Sequence, residues 1–277
     1  MFGISASLAQ ALGWGRVLLG WSAVLIAIIG GLYFFWRKAR EEHFELMEAF
    51  DGIVWSAILG IFSARIGYIV LHFDQFGWRV LRWMALDGYP GLWGILGLAV
   101  AFGVLYRWAK QQKQDLWEVW DFYSILLAWY MGWYWLSRFF FGAAAGRPTS
   151  LPWGIVFPQR VEPAHPVQIY AAVVYIALFA YLWWVEPKYR FFLWYRSKKR
   201  TAKTGYLFSF FVIVSGLLGF GLSFVQYPFW LVWDVDINQL LSVLLFFVGG
   251  VLLYIRSGRT FFMTKSKERG GPNESLK

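Results

Sequence analysis

Seven long apolar segments, separated by polar connections, divide the chain. They cover residues 16–36, 51–72, 91–108, 116–141, 166–186, 205–226 and 237–256. Each approaches the length of about 20 predominantly apolar residues that an α-helix needs to cross a bilayer. The sequence shows no internal repeat and no segment typical of a second, soluble domain. The pattern therefore predicts an all-α polytopic membrane protein, with seven transmembrane helices forming one domain over residues 1–264.

Basic residues are distributed unevenly over the polar connections. Nineteen of the 26 Lys and Arg fall in four clusters, at 37–40, 107–113, 188–203 and 256–277, each after an odd-numbered apolar segment. Cytoplasmic loops of membrane proteins retain basic residues, whereas translocated loops lose them. The first apolar segment also follows no basic stretch, which is the reverse of a cleavable signal peptide. We therefore expect the N-terminus outside and the C-terminus in the cytoplasm.

Composition supports a membrane location and favours lipid over nucleic acid as a partner. The chain is 59% hydrophobic and 15% charged, against roughly 45–50% and 25% in soluble domains. The net charge of +10 could suit nucleic acid, but its clustering on one side favours anionic lipid head groups, so no nucleic acid partner is expected. The chain contains no cysteine, which excludes disulfides and a catalytic thiol.

Three connecting or terminal segments have a distinct character. Residues 76–86 alternate Trp and Leu with Arg, which predicts an amphipathic segment on the outer membrane surface. Residues 143–165, between the fourth and fifth helices, are rich in proline and predict a small, irregular periplasmic head. Residues 265–277 are polar and predict a disordered cytoplasmic tail.

Three arginines are candidates for holding a phosphate. Arg65 lies inside the second apolar segment, where a charge is costly unless it faces the bundle interior or an aqueous cavity. Arg138 lies near the outer end of the fourth segment, and Arg147 follows closely, next to Gly146. A guanidinium can bind phosphate through two hydrogen bonds. The alternative for each is a side chain that simply extends to the interfacial region.

Two further residues could carry chemistry or structure. His165, just before the fifth segment, could be a general base or a phosphate donor because its ordinary pKa lies near 6.5, or it could be a structural cap. Asp121, near the cytoplasmic start of the fourth segment, is interpreted as a cap of a helix N-terminus. His43, His72 and His165 lie in unrelated segments, so no metal site and no other cofactor is predicted.

A series of short motifs resembles the bacterial prolipoprotein diacylglyceryl transferase family from about residue 51 to residue 256. The most specific is His165-Pro166-Val167-Gln168-Ile169-Tyr170. The others, in chain order, are Ala64-Arg65-Ile66-Gly67-Tyr68, Asp87-Gly88 with Gly94 and Gly97, Asp121-Phe122, Gly142 with Gly146-Arg147, Pro152-Trp153-Gly154-Ile155-Val156-Phe157-Pro158, and Asn238-Gln239-Leu240-Leu241-Ser242.

The resemblance implies a seven-helix enzyme of the bacterial inner membrane. Such enzymes move the diacylglyceryl group of phosphatidylglycerol onto the lipobox cysteine of a prolipoprotein, and glycerol-1-phosphate leaves. The implied partners are phosphatidylglycerol or another anionic phospholipid, a prolipoprotein signal peptide and the membrane. The implied phosphate ligands are Arg138, Arg147 and Arg65, and His165 is the candidate for proton transfer. The implied structural motif positions are Gly94, Gly97, Gly146, Asp121, Gln168 and Tyr170.

The chain departs from the family pattern at several polar positions. The family's histidine falls on Trp93, its arginines on Trp135 and Gly219, its asparagine on Arg138, and its glutamates on Ala143, Ala171 and Ser223. Loss of one such donor can cost about 10²–10³ in rate. Two hypotheses follow: a divergent transferase whose remaining cationic residues regroup around the phosphate, or a catalytically lapsed member that binds lipid or signal peptide. The second predicts a cavity filled by Trp93, Trp135, Phe139 and Phe141.

Overall fold

The computed structural model describes residues 6–41, 46–78, 83, 91–113, 115–143, 145–157, 160–195, 204–228, 231–232 and 235–256. The helices in these ranges are α1 (Ala6–Glu41), α2 (Leu46–Leu71), α3 (Phe73–Phe76), α4 (Gly91–Gln111), α5 (Leu116–Phe140), α6 (Val167–Tyr195), α7 (Tyr206–Val225) and α8 (Ile237–Arg256). A two-stranded antiparallel sheet, β1 (Leu231–Val232) and β2 (Val235–Asp236), precedes α8. The predicted tail and most of the predicted segment 76–86 lie outside the described residues.

The all-α prediction is confirmed. Within the described ranges, five helices are long and apolar enough to cross a membrane, over Gly13–Lys38, Phe50–Val70, Val167–Lys188, Tyr206–Val225 and Ile237–Arg256. The other two long helices, α4 and α5, correspond to the third and fourth apolar segments of the sequence. Seven crossings, the orientation and the periplasmic position of the head stay predictions.

Helix α5 occupies the centre of the bundle. It packs against α1, α6 and α7, and more sparingly against α4. Its residues Ile125 and Ala128 are buried in a core shared with α6 and α7, while Val119 and Phe122 are buried against α1 and the end of α4. Because it is covered on several sides, α5 positions the other helices.

Small residues bring two helix pairs into close contact. A Cβ atom placed on Gly97 of α4 would lie 2.5 Å from the carbonyl oxygen of Gly60 and 2.9 Å from the Cβ of Ala64, both on α2. In the same way, a Cβ on Gly216 of α7 would lie 2.6 Å from the backbone nitrogen of Phe246 on α8. Lipid tails are as apolar as the helices, so close packing of this kind drives their association.

A buried carboxylate joins α5 to α7. Asp121 accepts hydrogen bonds from the backbone N–H groups of Gly205, at 2.7 Å, and Phe208, at 2.8 Å. These groups belong to the first turn of α7, so Asp121 caps the N-terminus of a neighbouring helix. The cap of its own helix is Asp115, which accepts from the backbone of Trp117 at 3.2 Å. Gly205 has a φ of +98°, a conformation that favours glycine.

A second polar contact closes the same end of the bundle. Arg256, at the end of α8, donates to the carbonyl and, at 2.9 Å, to the hydroxyl of Thr204, just before α7. The Thr204 hydroxyl donates in turn to Asp115 at 2.7 Å, and the Arg256 guanidinium lies over the ring of Trp117 at 4.5 Å. These contacts join the start of α7, the end of α8 and the start of α5.

One member of the first basic cluster points into the protein. Lys38, at the end of α1, forms a buried ion pair with Glu186 of α6 and lies over the ring of Trp183. A basic residue in this cluster is expected from the sequence to face lipid head groups. A carboxylate on the adjacent helix at the same depth compensates the desolvation of the ammonium instead.

We expect Asp121→Ala to lower the free energy of unfolding by about 2–4 kcal/mol, because it removes two hydrogen bonds to a charged acceptor and leaves the N–H groups of α7 without them. Unfolding in mixed detergent micelles measures this difference. The control is Asp51→Ala, since Asp51 is exposed on α2. An equal effect of the two substitutions would contradict the capping role.

A single methyl group added at Gly97 should separate α2 from α4. We expect Gly97→Ala to destabilise the protein by about 1–3 kcal/mol through overpacking. Gly103 lies on the same helix with no atom within 4 Å of its hypothetical Cβ, so Gly103→Ala should instead stabilise by up to about 1 kcal/mol. The same unfolding measurement on both variants checks the opposite signs.

Candidate functional site

The segment between α5 and α6 folds back on itself at the end of the bundle opposite to Asp121. We call its described residues, 145–157 and 160–166, the head. Ile155 and Ala164 exchange two backbone hydrogen bonds of 3.0 Å, and Thr149 donates its N–H to Pro163 at 2.9 Å. Ala164 is fully buried and Phe157 nearly so. The head therefore has ordered pairing around a small core, whereas the sequence predicts an irregular segment.

The head is fastened to the end of α7. Arg147 donates its backbone N–H to Val225 at 2.7 Å and its Nε to the carbonyl of Gln226 at 2.8 Å. A Cβ on Gly146 would lie 2.6 Å from the Val225 carbonyl oxygen, so this close approach requires glycine. Arg160 donates to the carbonyl of Gly146 at 2.7 Å. These contacts fix the backbone beside the Arg147 side chain, which is exposed.

His165 lies across from Arg147 and has a defined polar neighbour. Its backbone N–H donates to the Arg147 carbonyl at 3.1 Å, which places the two residues side by side. Its ring atom Nδ1 lies 3.5 Å from the hydroxyl of Tyr170. The same hydroxyl accepts a hydrogen bond from Trp153 Nε1 at 2.9 Å. The side chains of Trp153, Tyr170 and His165 thus form a polar chain that ends at the imidazole.

The tautomer of His165 decides what this chain can do. If the Tyr170 hydroxyl donates to Nδ1, the imidazole carries its proton on Nε2 and can only donate there. If Nδ1–H donates to the hydroxyl, Nε2 has a free lone pair and can accept a proton. The two arrangements correspond to the two roles considered for His165, phosphate donor and general base.

Gln168, in the first turn of α6, connects this helix to Ala143, just after the end of α5. Its side chain is fully buried, and Nε2 donates to the carbonyl of Ala143 at 2.5 Å. Its Oε1 is also buried and makes no hydrogen bond to any residue in the described part of the chain. A buried acceptor of this kind is costly, so a donor such as water or a substrate group would stabilise it.

Arg138 lies in the last turn of α5. Its Nη1 donates to the hydroxyl of Tyr134 at 2.8 Å, and its guanidinium lies 5.6 Å from that ring. The Nε is buried and has no hydrogen-bond partner among the described residues. Arg138 is linked to the head through Ala143, whose N–H donates to the Arg138 carbonyl at 3.0 Å. An anion near this guanidinium would accept a hydrogen bond from Nε.

Arg65 belongs to a different environment. It is buried, and its Nε donates to the carbonyl of Trp83 at 2.8 Å. Its guanidinium lies between the rings of Tyr68 and Phe76, at 5.6 and 5.2 Å. A carbonyl and two aromatic faces thus contribute to the compensation of its charge.

The structure therefore brings together Arg147, His165, Gly146, Gln168 and Tyr170, with Arg138 nearby through the backbone. Gly97 acts elsewhere, at the contact of α2 with α4, and Asp121 lies at the opposite end of the bundle. Gly94 is in the first turn of α4. Nothing in the sequence motifs indicated the contacts of Trp153 and Tyr134. The spacing of Tyr134 four residues before Arg138 could have indicated their contact on one helix face.

Two of the positions at which the resemblance places a charged residue lie at one apolar cluster. Trp135 packs against a core formed by Val167, Ala171 and Leu222, so the position of an arginine and that of one glutamate belong to the same apolar region. Gly219 approaches the side chain of Ser242 on α8 too closely to accommodate a larger residue without movement.

The other aromatic residues of the predicted plug do not all join this cluster. Phe139 contacts Phe157 of the head at 6.2 Å between ring centroids, and Phe141 contacts Trp21 of α1 at 5.9 Å. The Trp93 side chain lies outside the described residues. Only Trp135 of the four therefore belongs to the apolar core at the end of α5, among the described side chains.

Comparisons with known proteins give one consistent result. The family model described as prolipoprotein diacylglyceryl transferase matches residues 18–255. Three similar proteins are each named phosphatidylglycerol–prolipoprotein diacylglyceryl transferase. The protein from Mannheimia succiniciproducens is 27% identical over 87% of this chain and 90% of its own length, and that from Pasteurella multocida is 25% identical over 87% and 89%. The protein from Shewanella oneidensis is 27% identical over 85% and 86%.

We expect Tyr170→Phe to remove the partner that orients His165. The ¹⁵N shifts of labelled histidine should then indicate a mixture of tautomers for His165, and stability should fall by about 1 kcal/mol through the lost hydrogen bond to Trp153. Tyr106→Phe, on the exposed surface of α4, is the control and should change neither quantity. Unchanged shifts in Tyr170→Phe would contradict the contact.

Proposed function

The chain belongs to the prolipoprotein diacylglyceryl transferase family, and on that basis we propose that it moves the diacylglyceryl group of phosphatidylglycerol onto the lipobox cysteine of a prolipoprotein. The observation that carries the proposal is the family match over residues 18–255, which extends from α1 to α8 and includes the head. The setting is the bacterial cytoplasmic membrane, with the head on the periplasmic side.

The reaction is a substitution at the glyceryl carbon of the lipid. A bond forms between the cysteine sulfur and this carbon, and the bond from the carbon to the phosphate oxygen breaks. Glycerol-1-phosphate leaves with the electron pair, and the thiol proton passes to a base. The protein therefore has to bind a phosphate that gains negative charge and accept one proton.

Arg147 and Arg138 are the proposed phosphate ligands. The Arg147 side chain is exposed, and its Nε contact with Gln226 fixes the guanidinium while its terminal nitrogens make no hydrogen bond to the described residues. Arg138 is half-buried and retains a buried donor, its Nε, for which a lipid phosphate would be an acceptor. Both lie at the end of the bundle that carries the head. The position of Arg65 near Trp83 and Phe76 supports a structural role for it instead.

His165 is the proposed proton acceptor, in the tautomer that donates from Nδ1 to the Tyr170 hydroxyl. This arrangement leaves Nε2 free to take the thiol proton. Trp153 donates its indole N–H to the same hydroxyl and restricts how the ring of Tyr170 can turn, so that the hydroxyl stays beside the imidazole. Gln168, through Ala143, holds the end of α5 against the start of α6 and so keeps Arg138 near the head.

We expect a slower reaction than in relatives that carry the full set of charged residues. Trp135 and the cluster that contains Ala171 occupy positions at which the resemblance places an arginine and a glutamate. Each lost donor to the developing charge costs about 10²–10³ in rate, and Arg138 can replace only part of that stabilisation.

Transfer can be measured with the purified protein in phosphatidylglycerol vesicles and a synthetic lipobox peptide, with the mass of the peptide as the readout. We expect the peptide to gain a diacylglyceryl group. His165→Ala should lower the rate by at least about 10², the usual contribution of a general base. The matched control is His72→Ala, because the His72 ring lies against the carbonyl and the ring of Tyr68, four residues earlier in the chain; its rate should stay close to that of the native chain.

Two outcomes would contradict the proposal. If the peptide and phosphatidylglycerol bind but no modified peptide forms, the chain is a binding protein on the family's scaffold. If transfer occurs and His165→Ala matches His72→Ala, the reaction stands but His165 is not the proton acceptor.

A further inference from the structure

The head exposes large apolar side chains as well as its polar groups. Val161 is 95% exposed, Val156 58%, Trp153 56% and Leu151 40%, and all four lie within eleven residues of sequence. A single exposed apolar residue needs no explanation on a protein surface. Four in so short a segment, next to a head core that does bury Phe157 and Ala164, indicate a surface that water does not cover.

The position of the head is set by the helices on either side. Helix α5 ends at Phe140, and the apolar part of α6 begins at its first residue, Val167. The Ala143 carbonyl is bound to Gln168 in the first turn of α6. The segment therefore begins and ends at the membrane boundary, with no linker that could lift it into solution.

The Trp153 contact directs one of these side chains towards lipid. Its indole N–H donates to Tyr170 in the first turn of α6. Three residues further along the same helix face, Val173 is 61% exposed on an apolar, membrane-spanning segment. Trp and Tyr prefer the boundary between head groups and acyl chains, since their rings are apolar and their N–H and O–H groups need partners.

The charges beside this surface favour an anionic lipid. Among residues 145–166 the sequence has two arginines, Arg147 and Arg160, and one acidic residue, Glu162. Arg147 is exposed and held in place by Gln226. Apolar side chains flanked by fixed guanidinium groups are the usual composition of a segment that lies in the interface of an anionic membrane.

We propose that the head is a membrane-surface anchor, in which Leu151, Trp153, Val156 and Val161 enter the boundary between head groups and acyl chains of the adjacent leaflet. Arg147 and Arg160 lie at the level of the lipid phosphates. Arg147 is also a proposed phosphate ligand of the reaction, but the entry of the four apolar side chains into the interface does not depend on transfer, because it concerns the surface of the head and not the imidazole of His165.

The absence of cysteine from the chain allows a direct test. Val156→Cys and Val161→Cys each provide one thiol for an environment-sensitive fluorophore, and both positions are exposed enough to accept it. The labelled proteins are placed in vesicles containing phosphatidylglycerol, with and without phospholipids that carry a nitroxide near the glycerol end of an acyl chain. We expect nitroxide quenching at both positions to be at least about threefold stronger than at a position in water, as for side chains that enter the interface.

Two references calibrate the measurement. Lys110→Cys lies on an exposed position of α4 at the opposite end of the bundle and reports an aqueous label, whereas Leu244→Cys lies on the exposed face of α8 and reports a label in lipid. Iodide should quench Val156 and Val161 less than Lys110.

The proposal is overturned if both head positions behave like Lys110 in iodide and in nitroxide lipid. It is also overturned if protection appears only after a lipobox peptide is added, because the surface would then bind peptide and not lipid. Protection that persists in vesicles without anionic lipid would support the apolar anchor and exclude the role of Arg147 and Arg160.

Discussion

A carboxylate buried in the bundle organises the whole molecule. A buried polar group has to find its partner within the protein, and Asp121 finds two backbone N–H groups at the start of α7. This contact fixes α7 against the central helix α5. The opposite end of α7 carries Val225 and Gln226, which hold Arg147 and with it the head. The arrangement of the candidate site thus depends on a contact at the far end of the same helix.

The candidate site combines ordered polar contacts with an apolar interior. Trp153, Tyr170 and His165 form a chain of hydrogen-bonding groups at the surface of the bundle. Trp135 of α5 packs against the apolar cluster of Val167, Ala171 and Leu222. A buried charged side chain needs partners that offset its desolvation, whereas an aromatic ring is stabilised by packing alone. At a position where the resemblance places an arginine, the structure therefore has a packed aromatic ring.

Much of the helical framework could be predicted from the sequence. The apolar segments correspond to the long helices, because apolar runs of this length have few alternatives in a membrane. The His165 motif at the start of α6 and the small residues around Gly97 also carried usable information, since both depend on local sequence. The basic residues Lys38, Lys110 and Arg256 lie in the last turns of α1, α4 and α8, which end on one side of the bundle, as the charge pattern predicts. The orientation in the membrane stays a prediction.

The partners of individual side chains were decided only by the tertiary structure. The sequence could suggest that Asp121 caps a helix, but not that the helix is α7, 84 residues away. It gave Arg65 and Arg147 equal standing as phosphate ligands, and only the structure gives their neighbours, the Trp83 carbonyl for Arg65 and the Gln226 carbonyl for Arg147. It placed Lys38 at a lipid surface, and Glu186 of α6 turns it inward. The apolar pattern and the charges of a segment indicate whether it crosses the membrane and which of its ends is cytoplasmic. Contacts between helices depend on the shapes of side chains from different segments and on the distances between those segments.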